Sequence, residues 1–139
     1  MKILQRILLT LALAVGALTL PAQAADTDPL FINLTTDEAA RAGMALTFGL
    51  HQHESGHPLT VFLNDRGVLL GAQTHADRLA APRKMLEELM KKGAIVLVCQ
   101  PCMKHHGVAE ADLLPGLQLS TRQLVGDALF RGNTRALSW

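Results

Sequence analysis

The 139-residue chain carries 13 basic and 12 acidic residues for a net charge of +1, is 49% apolar, and has two cysteines, one tryptophan and no tyrosine. That balance excludes a nucleic-acid surface, which needs clustered Lys and Arg and usually aromatic side chains for stacking. Two cysteines cannot build a disulfide scaffold, and the apolar content is ample for a core without one.

The first residues, MKILQRILLTLALAVGALTLPAQA, read as an export signal. Lys2 and Arg6 make a positive start, Ile7 to Leu20 form an uncharged apolar run, and Ala22-Gln23-Ala24 is a small-x-small cleavage site. The run is shorter than the roughly 20 residues that span a bilayer, and no second run follows. The expectation is an exported, periplasmic protein cut after Ala24, with no stable membrane insertion after cleavage; an uncleaved anchor is the alternative. Removing 24 of 139 residues leaves 115, the size of one compact domain over residues 25–139. Without Lys2 and Arg6, eleven basic residues face twelve acidic ones, a net charge of −1.

In chain order, Leu30 to Leu34 is an apolar run closed by Thr35-Thr36-Asp37-Glu38, polar residues suited to capping a helix start. A strand running into a helix over Asp37 to Glu54 is expected, with Ala39, Ala42, Gly43, Leu46 and Leu50 on one face and Ala40, Met44 and Phe48 beside them. Ser55-Gly56-His57-Pro58 ends that helix. Leu59 to Leu63 reads as a strand apolar on both faces, as in a buried parallel sheet. Asn64 to Gly67 turns the chain, Val68 to Ala72 makes a short apolar return, and Gln73 to Ala81 is expected as a mobile loop. Pro82 opens a helix over Arg83 to Lys92, striped by Met85, Leu86, Leu89 and Met90 and stopped by Gly93. The two methionines read as core rather than as copper ligands.

Ala94 to Val98 is the strongest strand pattern, and it delivers directly into VCQPCMKHHG. Cys99 therefore stands at the carboxyl end of a strand, where open parallel sheets place their binding crevice. Pro101 suits a first helical position, Cys102 falls in the first turn, Lys104, His105 and His106 near the far end, and Gly107 terminates. Backbone N–H groups at such a start favour a thiolate, the nucleophilic form of cysteine. Two cysteines at i and i+3 can also close a small ring that is readily reopened. Beyond them come a short acidic helix (Ala109 to Leu114), a strand at Leu117 to Leu119, a capped helix from Ser120 to Phe130 and a strand over Arg135 to Trp139. Strands alternating with helices predict a parallel sheet covered on both sides.

Three readings of the cysteine pair compete. Cys99 and Cys102 form an inert disulfide or sit buried; they bind copper(I) or zinc with Met103 and a histidine; or they are reactive thiols. Zinc normally wants two separated knuckles and only one exists here, so reactive thiols are preferred over a metal site. His51, His53 and His57 read as a solvated helix end rather than a metal cluster. Lys104 and His105 are candidates for lowering a thiol pKa. No G-x-G-x-x-G follows a strand and no G-x-x-x-x-G-K-[ST] occurs, so no organic cofactor is expected.

The order NLTTDEAARAGMALTFG, VFLNDRGVLL, IVLVCQPCMKHHGV and ADLLPGLQLSTRQLVGDAL resembles the DsrE/DsrF-like family of small sulfur-relay proteins over nearly all of residues 25–139. The resemblance implies a flavodoxin-like α/β fold, a three-layer sandwich with a mostly parallel sheet of about five strands, and a homo-oligomer. It puts the family's sulfur-accepting cysteine at Cys99 and a second cysteine at Cys102. The function expected is a thiol protein that takes up or relays sulfane sulfur as a Cys99 persulfide, with Cys102 resolving it. Its partners would be a sulfur donor or acceptor protein or a small sulfur compound. Thiol–disulfide exchange and copper(I) carriage by Cys99, Cys102 and Met103 are the alternatives.

Overall fold

The computed structural model describes residues 27–139; the leader and the cleavage site after Ala24 lie outside the described residues. The elements are β1 (Leu30–Leu34), α1 (Ala39–Glu54), β2 (Leu59–Leu63), a 3-10 helix (Asp65–Gly71), α2 (Ala80–Lys91), β3 (Ile95–Val98), α3 (Gln100–His106), β4 (Gln118–Leu119), α4 (Arg122–Leu129) and β5 (Arg135–Ser138). The five strands form one parallel sheet in the order β4-β3-β2-β1-β5, so the α/β sandwich expected from the sequence is the observed architecture.

Strand order explains how the helices are distributed. From β1 to β4 each crossover steps the same way along the sheet, and the last one returns to the far side of β1. With right-handed crossovers that reversal moves the final helix to the opposite face. Leu30, Ile32, Leu34, Leu59, Val61, Leu63, Val96 and Val98 point to the first face and are buried there. α1 lies on them so closely that a Cβ added at Gly49 would stand 2.9 Å from Ile32 Cδ1 and 3.2 Å from Leu59 Cδ2. Phe31, Phe62 and Leu97 alternate to the other face, on which α4 rests without burying any of its own residues.

Several local expectations change. The first helix starts at Ala39, not Asp37, because the Asp37 carboxylate does not cap it. It accepts from Arg66 Nε (2.7 Å) and Nη2 (2.9 Å) and from Arg78 Nη2 (2.7 Å), and these guanidinium groups hold its pKa well below the usual carboxylate range. The buried face of α1 is Ala42, Ala45, Leu46 and Gly49, while Met44 and Phe48 are exposed.

The run after β2 coils into a 3-10 helix rather than returning extended. Gly67 is pressed against the end of β1, where an added Cβ would stand 2.0 Å from the Leu34 carbonyl oxygen, and residues Gly67 to Gly71 are buried all round. The expected loop from Gln73 is tied down as well. Leu79 is fully buried, and Arg83, also buried, donates to the carbonyls of Leu70 (3.1 Å) and Ala72 and to Gln73 Oε1 (2.9 Å). A buried guanidinium that satisfies buried carbonyls removes the reason for that segment to be free. Pro82 falls third in α2, not first. The acidic stretch is only a 3-10 turn, Glu110–Asp112.

Candidate functional site

The sheet register sets the site. Leu34, Leu63 and Val98 lie side by side at the ends of β1, β2 and β3, so the residues that follow share one rim. The ladder runs one step further: Asn64 N–H donates to the Leu34 carbonyl (2.9 Å) and Cys99 N–H to the Leu63 carbonyl (3.0 Å). Asn64 and Cys99 are thus placed at the carboxyl edge by the strands before them. Such an edge is where parallel sheets bind ligands.

α3 begins there. Cys99 is extended and serves as its cap, Gln100 rather than Pro101 is the first helical residue, and Gly107 closes the helix at φ 69°, a left-handed conformation that suits glycine. Cys99 and Cys102 are joined as a disulfide with their Cα atoms 5.2 Å apart. Cys99 Sγ accepts the backbone N–H of Cys102 at 3.2 Å, and Cys102 Sγ stands 3.0 Å from Asn64 Oδ1. The bonded sulfur has no proton, so the second approach is a close contact; once reduced, the Cys102 thiol can donate along it.

The two sulfurs differ in cover. Cys99 is buried, 8% exposed, whereas Cys102 is half-buried. Cys99 still lines a groove of about 630 Å³ between the rim and α4, walled by Phe62, Gln100, Thr121, Arg122 and Val125 among others. A second hollow of about 380 Å³ lies on the other side of α4, over Phe31, Asn33 and Asn64, and shares Phe62, Val125 and Leu129 with the first. Cys99 thus borders a groove whose lining is mostly apolar.

The remaining residues singled out in the sequence disperse. Met103 is packed into the core. Lys104 and His105 are exposed on α3, and His106 instead meets Asp65, Nε2 to Oδ1 3.0 Å, which lowers the Asp65 pKa. At the opposite end of the sheet, His53 is a structural tie rather than a solvated end residue. Its ring nitrogens reach the carbonyls of His57 and Lys92, each at 3.0 Å, while His57 Nδ1 reaches the Asp28 carbonyl at 2.8 Å. Among the described residues no three His, Cys, Asp or Glu side chains converge as metal ligands.

Sequence reading missed Asn64, Asn33 and Ser138. Asn33 Nδ2 donates to Ser138 Oγ (3.2 Å) and Asn64 Nδ2 donates to Asn33 Oδ1 (3.3 Å), so a polar chain crosses the ends of β5, β1 and β2 and stops at the Cys102 sulfur. Polar residues at or just past the ends of apolar strands were the available signal.

Known proteins agree with this architecture. The chain is 35% identical over 82 residues to the uncharacterized protein MK0008 of Methanopyrus kandleri, covering 58% of this chain and 68% of that one. It is equally 35% identical over 83 residues to the uncharacterized protein MJ0989 of Methanocaldococcus jannaschii, covering 58% and 72%. Among solved structures it is similar to the ychN protein from E. coli (TM-score 0.64, 17% identity, 81% of this chain and 99% of that one). It is also similar to MTH1491 from Methanobacterium thermoautotrophicum, a protein of unknown function (TM-score 0.62, 13% identity, 79% and 99%). At such identities the structural likeness speaks for the fold. The profile of one family matches residues 26–134, most of the chain and both cysteines, and on that match the protein belongs to the DsrE/DsrF-like family.

Proposed function

We propose that this chain is an exported, periplasmic thiol protein that takes up and relays sulfane sulfur as a persulfide on Cys99, with Cys102 as the resolving partner. The observation that carries the reading is the asymmetry of the pair: the Cys99 sulfur accepts a backbone N–H and Cys99 is a groove residue, while the Cys102 sulfur faces an amide oxygen. A donated N–H stabilises the anion, so reduction leaves Cys99 the better thiolate. That thiolate attacks the outer sulfur of a hydropersulfide R–S–SH. A new S–S bond forms to Cys99, the S–S bond of the donor breaks, and R–S⁻ departs with the electron pair. A small organic donor or the exposed thiol of a partner protein would supply R, and an oligomer of this chain would present several such sites.

Intact mass after reduction and exposure to a hydropersulfide tests the idea. A gain of about 32 Da on the wild type, lost in Cys99→Ser, is expected. An unchanged wild-type mass, under conditions that load another persulfide carrier, rejects it. The disulfide itself favours thiol–disulfide exchange as a second reading, for which insulin reduction by the dithiol form is the discriminating assay.

A further inference from the structure

We propose that Asn64 is a positioning residue that keeps Cys102 in its thiol form and so sets how long sulfur stays on Cys99; the timing part rests on the persulfide reading above.

The orientation of one amide is fixed by its neighbours. Asn64 Oδ1 accepts the N–H of Asp65 at 2.9 Å, and Asn64 Nδ2 donates to Asn33 Oδ1 at 3.3 Å. The chain turns left-handed at the next residue, Asp65 (φ 44°), a conformation that Asp tolerates. Asn33 is held in turn by donating to Ser138 Oγ. Rotating the Asn64 amide would break both of its bonds, so the oxygen is the atom held 3.0 Å from the Cys102 sulfur. An amide oxygen accepts and cannot donate. It therefore stabilises S–H and opposes S⁻.

The consequence concerns resolution of the persulfide. For Cys102 to discharge Cys99–S–SH, its sulfur attacks Cys99 Sγ, the internal disulfide forms, and the outer sulfur leaves as hydrosulfide. The Cys102 proton goes to solvent or to the departing sulfur, so thiol plus persulfide gives disulfide plus hydrogen sulfide. Only the thiolate attacks, and the rate follows its fraction. Holding Cys102 as a thiol delays this loss and leaves time for an acceptor in the groove to take the sulfur.

The other titratable groups around the pair offer no comparable fixed contact to this sulfur. Asp65 on the 3-10 helix is paired with His106 of α3, and Arg66 with Asp37. Lys104 and His105 are exposed on α3, and Arg122 of α4 is exposed at the groove wall.

Two substitutions at one position separate this role from a structural one. Asn64→Ala removes the acceptor, whereas Asn64→Asp keeps it and adds negative charge, which opposes ionisation further. Reduced wild type and both variants are loaded with glutathione hydropersulfide, and hydrogen sulfide release is followed from about pH 6 to pH 9. Release should be roughly three- to tenfold faster in Asn64→Ala, with its pH midpoint lowered, and slower in Asn64→Asp, with its midpoint raised. Movement of both variants in the same direction, or midpoints that stay put, overturns the proposal.

A second arm needs no persulfide. In the reduced Cys99→Ser background the pH midpoint of Cys102 alkylation should lie above the value of about 8.5 for a free thiol, fall in Asn64→Ala and rise in Asn64→Asp. A midpoint below the free-thiol value overturns Asn64's hold on the thiol even if sulfur is carried. Failure of the wild type to take up sulfur overturns the persulfide reading and the timing role, while the ordered alkylation midpoints would still support the hold on Cys102.

Discussion

The two faces of the sheet are made from alternate residues of the same strands, yet they are finished differently. The face under α1 and α2 is sealed, with Ile32, Leu34, Val61, Leu63 and Val98 fully buried. The face under α4 buries Phe31 and Leu97, but α4 has no buried residue, Phe130 is 81% exposed, and a groove lies along each side. The first face carries the stability of the domain. The second leaves an apolar floor open beside the Cys99 sulfur, and a domain can keep such an opening only because the other side is closed.

The sharpest break of that contrast is Leu46→Ala on α1 against Phe130→Ala beyond α4. The first opens a cavity in the sealed face and should cost about 3–4 kcal/mol; the second should stay within about 0.5 kcal/mol, both read from urea unfolding. Gly67→Ala comes next. Its new methyl would press on the Leu34 carbonyl, a backbone group that cannot swing aside as a side chain can, with an expected cost of about 3 kcal/mol and a shifted rim around Asn64.

Asp37→Asn should cost about 1–2 kcal/mol at neutral pH, since its arginine partners are about half exposed and screened. The folded pKa of Asp37 is lowered from 3.8, so its contribution is fully present above that value and is lost as pH falls through the folded pKa. Unfolding free energies of wild type and variant should therefore differ by a constant amount at neutral pH and converge in strong acid. The last effect has the opposite sign. Gly126 lies inside α4 with nothing within 4 Å of an added Cβ, so Gly126→Ala should stabilise by about 0.5–1 kcal/mol in thermal unfolding.

Much of this molecule could be read without coordinates. The runs Leu30–Leu34, Leu59–Leu63 and Ile95–Val98 are mostly apolar, broken only by Asn33 and Thr60, because parallel strands carry helices on both faces, and that is local information. Cys99 directly after the third run, and Gly107 closing its short helix, follow from the same kind of pattern. The segments that misled are those whose conformation is imposed by distant neighbours. The 3-10 helix after β2 is set by contact of Gly67 with the end of β1, and the segment from Gln73 is ordered by Arg78, Leu79 and Arg83.

The sequence by itself determined the parallel α/β class, the strand that delivers Cys99 and the i, i+3 spacing that separates it from Cys102. Only the tertiary structure decided that Asn64, Asn33 and Ser138, as many as 105 positions apart, join across three strand ends and stop at one of the two sulfurs. Periodicity reports which face of a strand is apolar. Which strand lies beside which, and so which polar end meets the cysteines, follows from the crossovers of the whole chain.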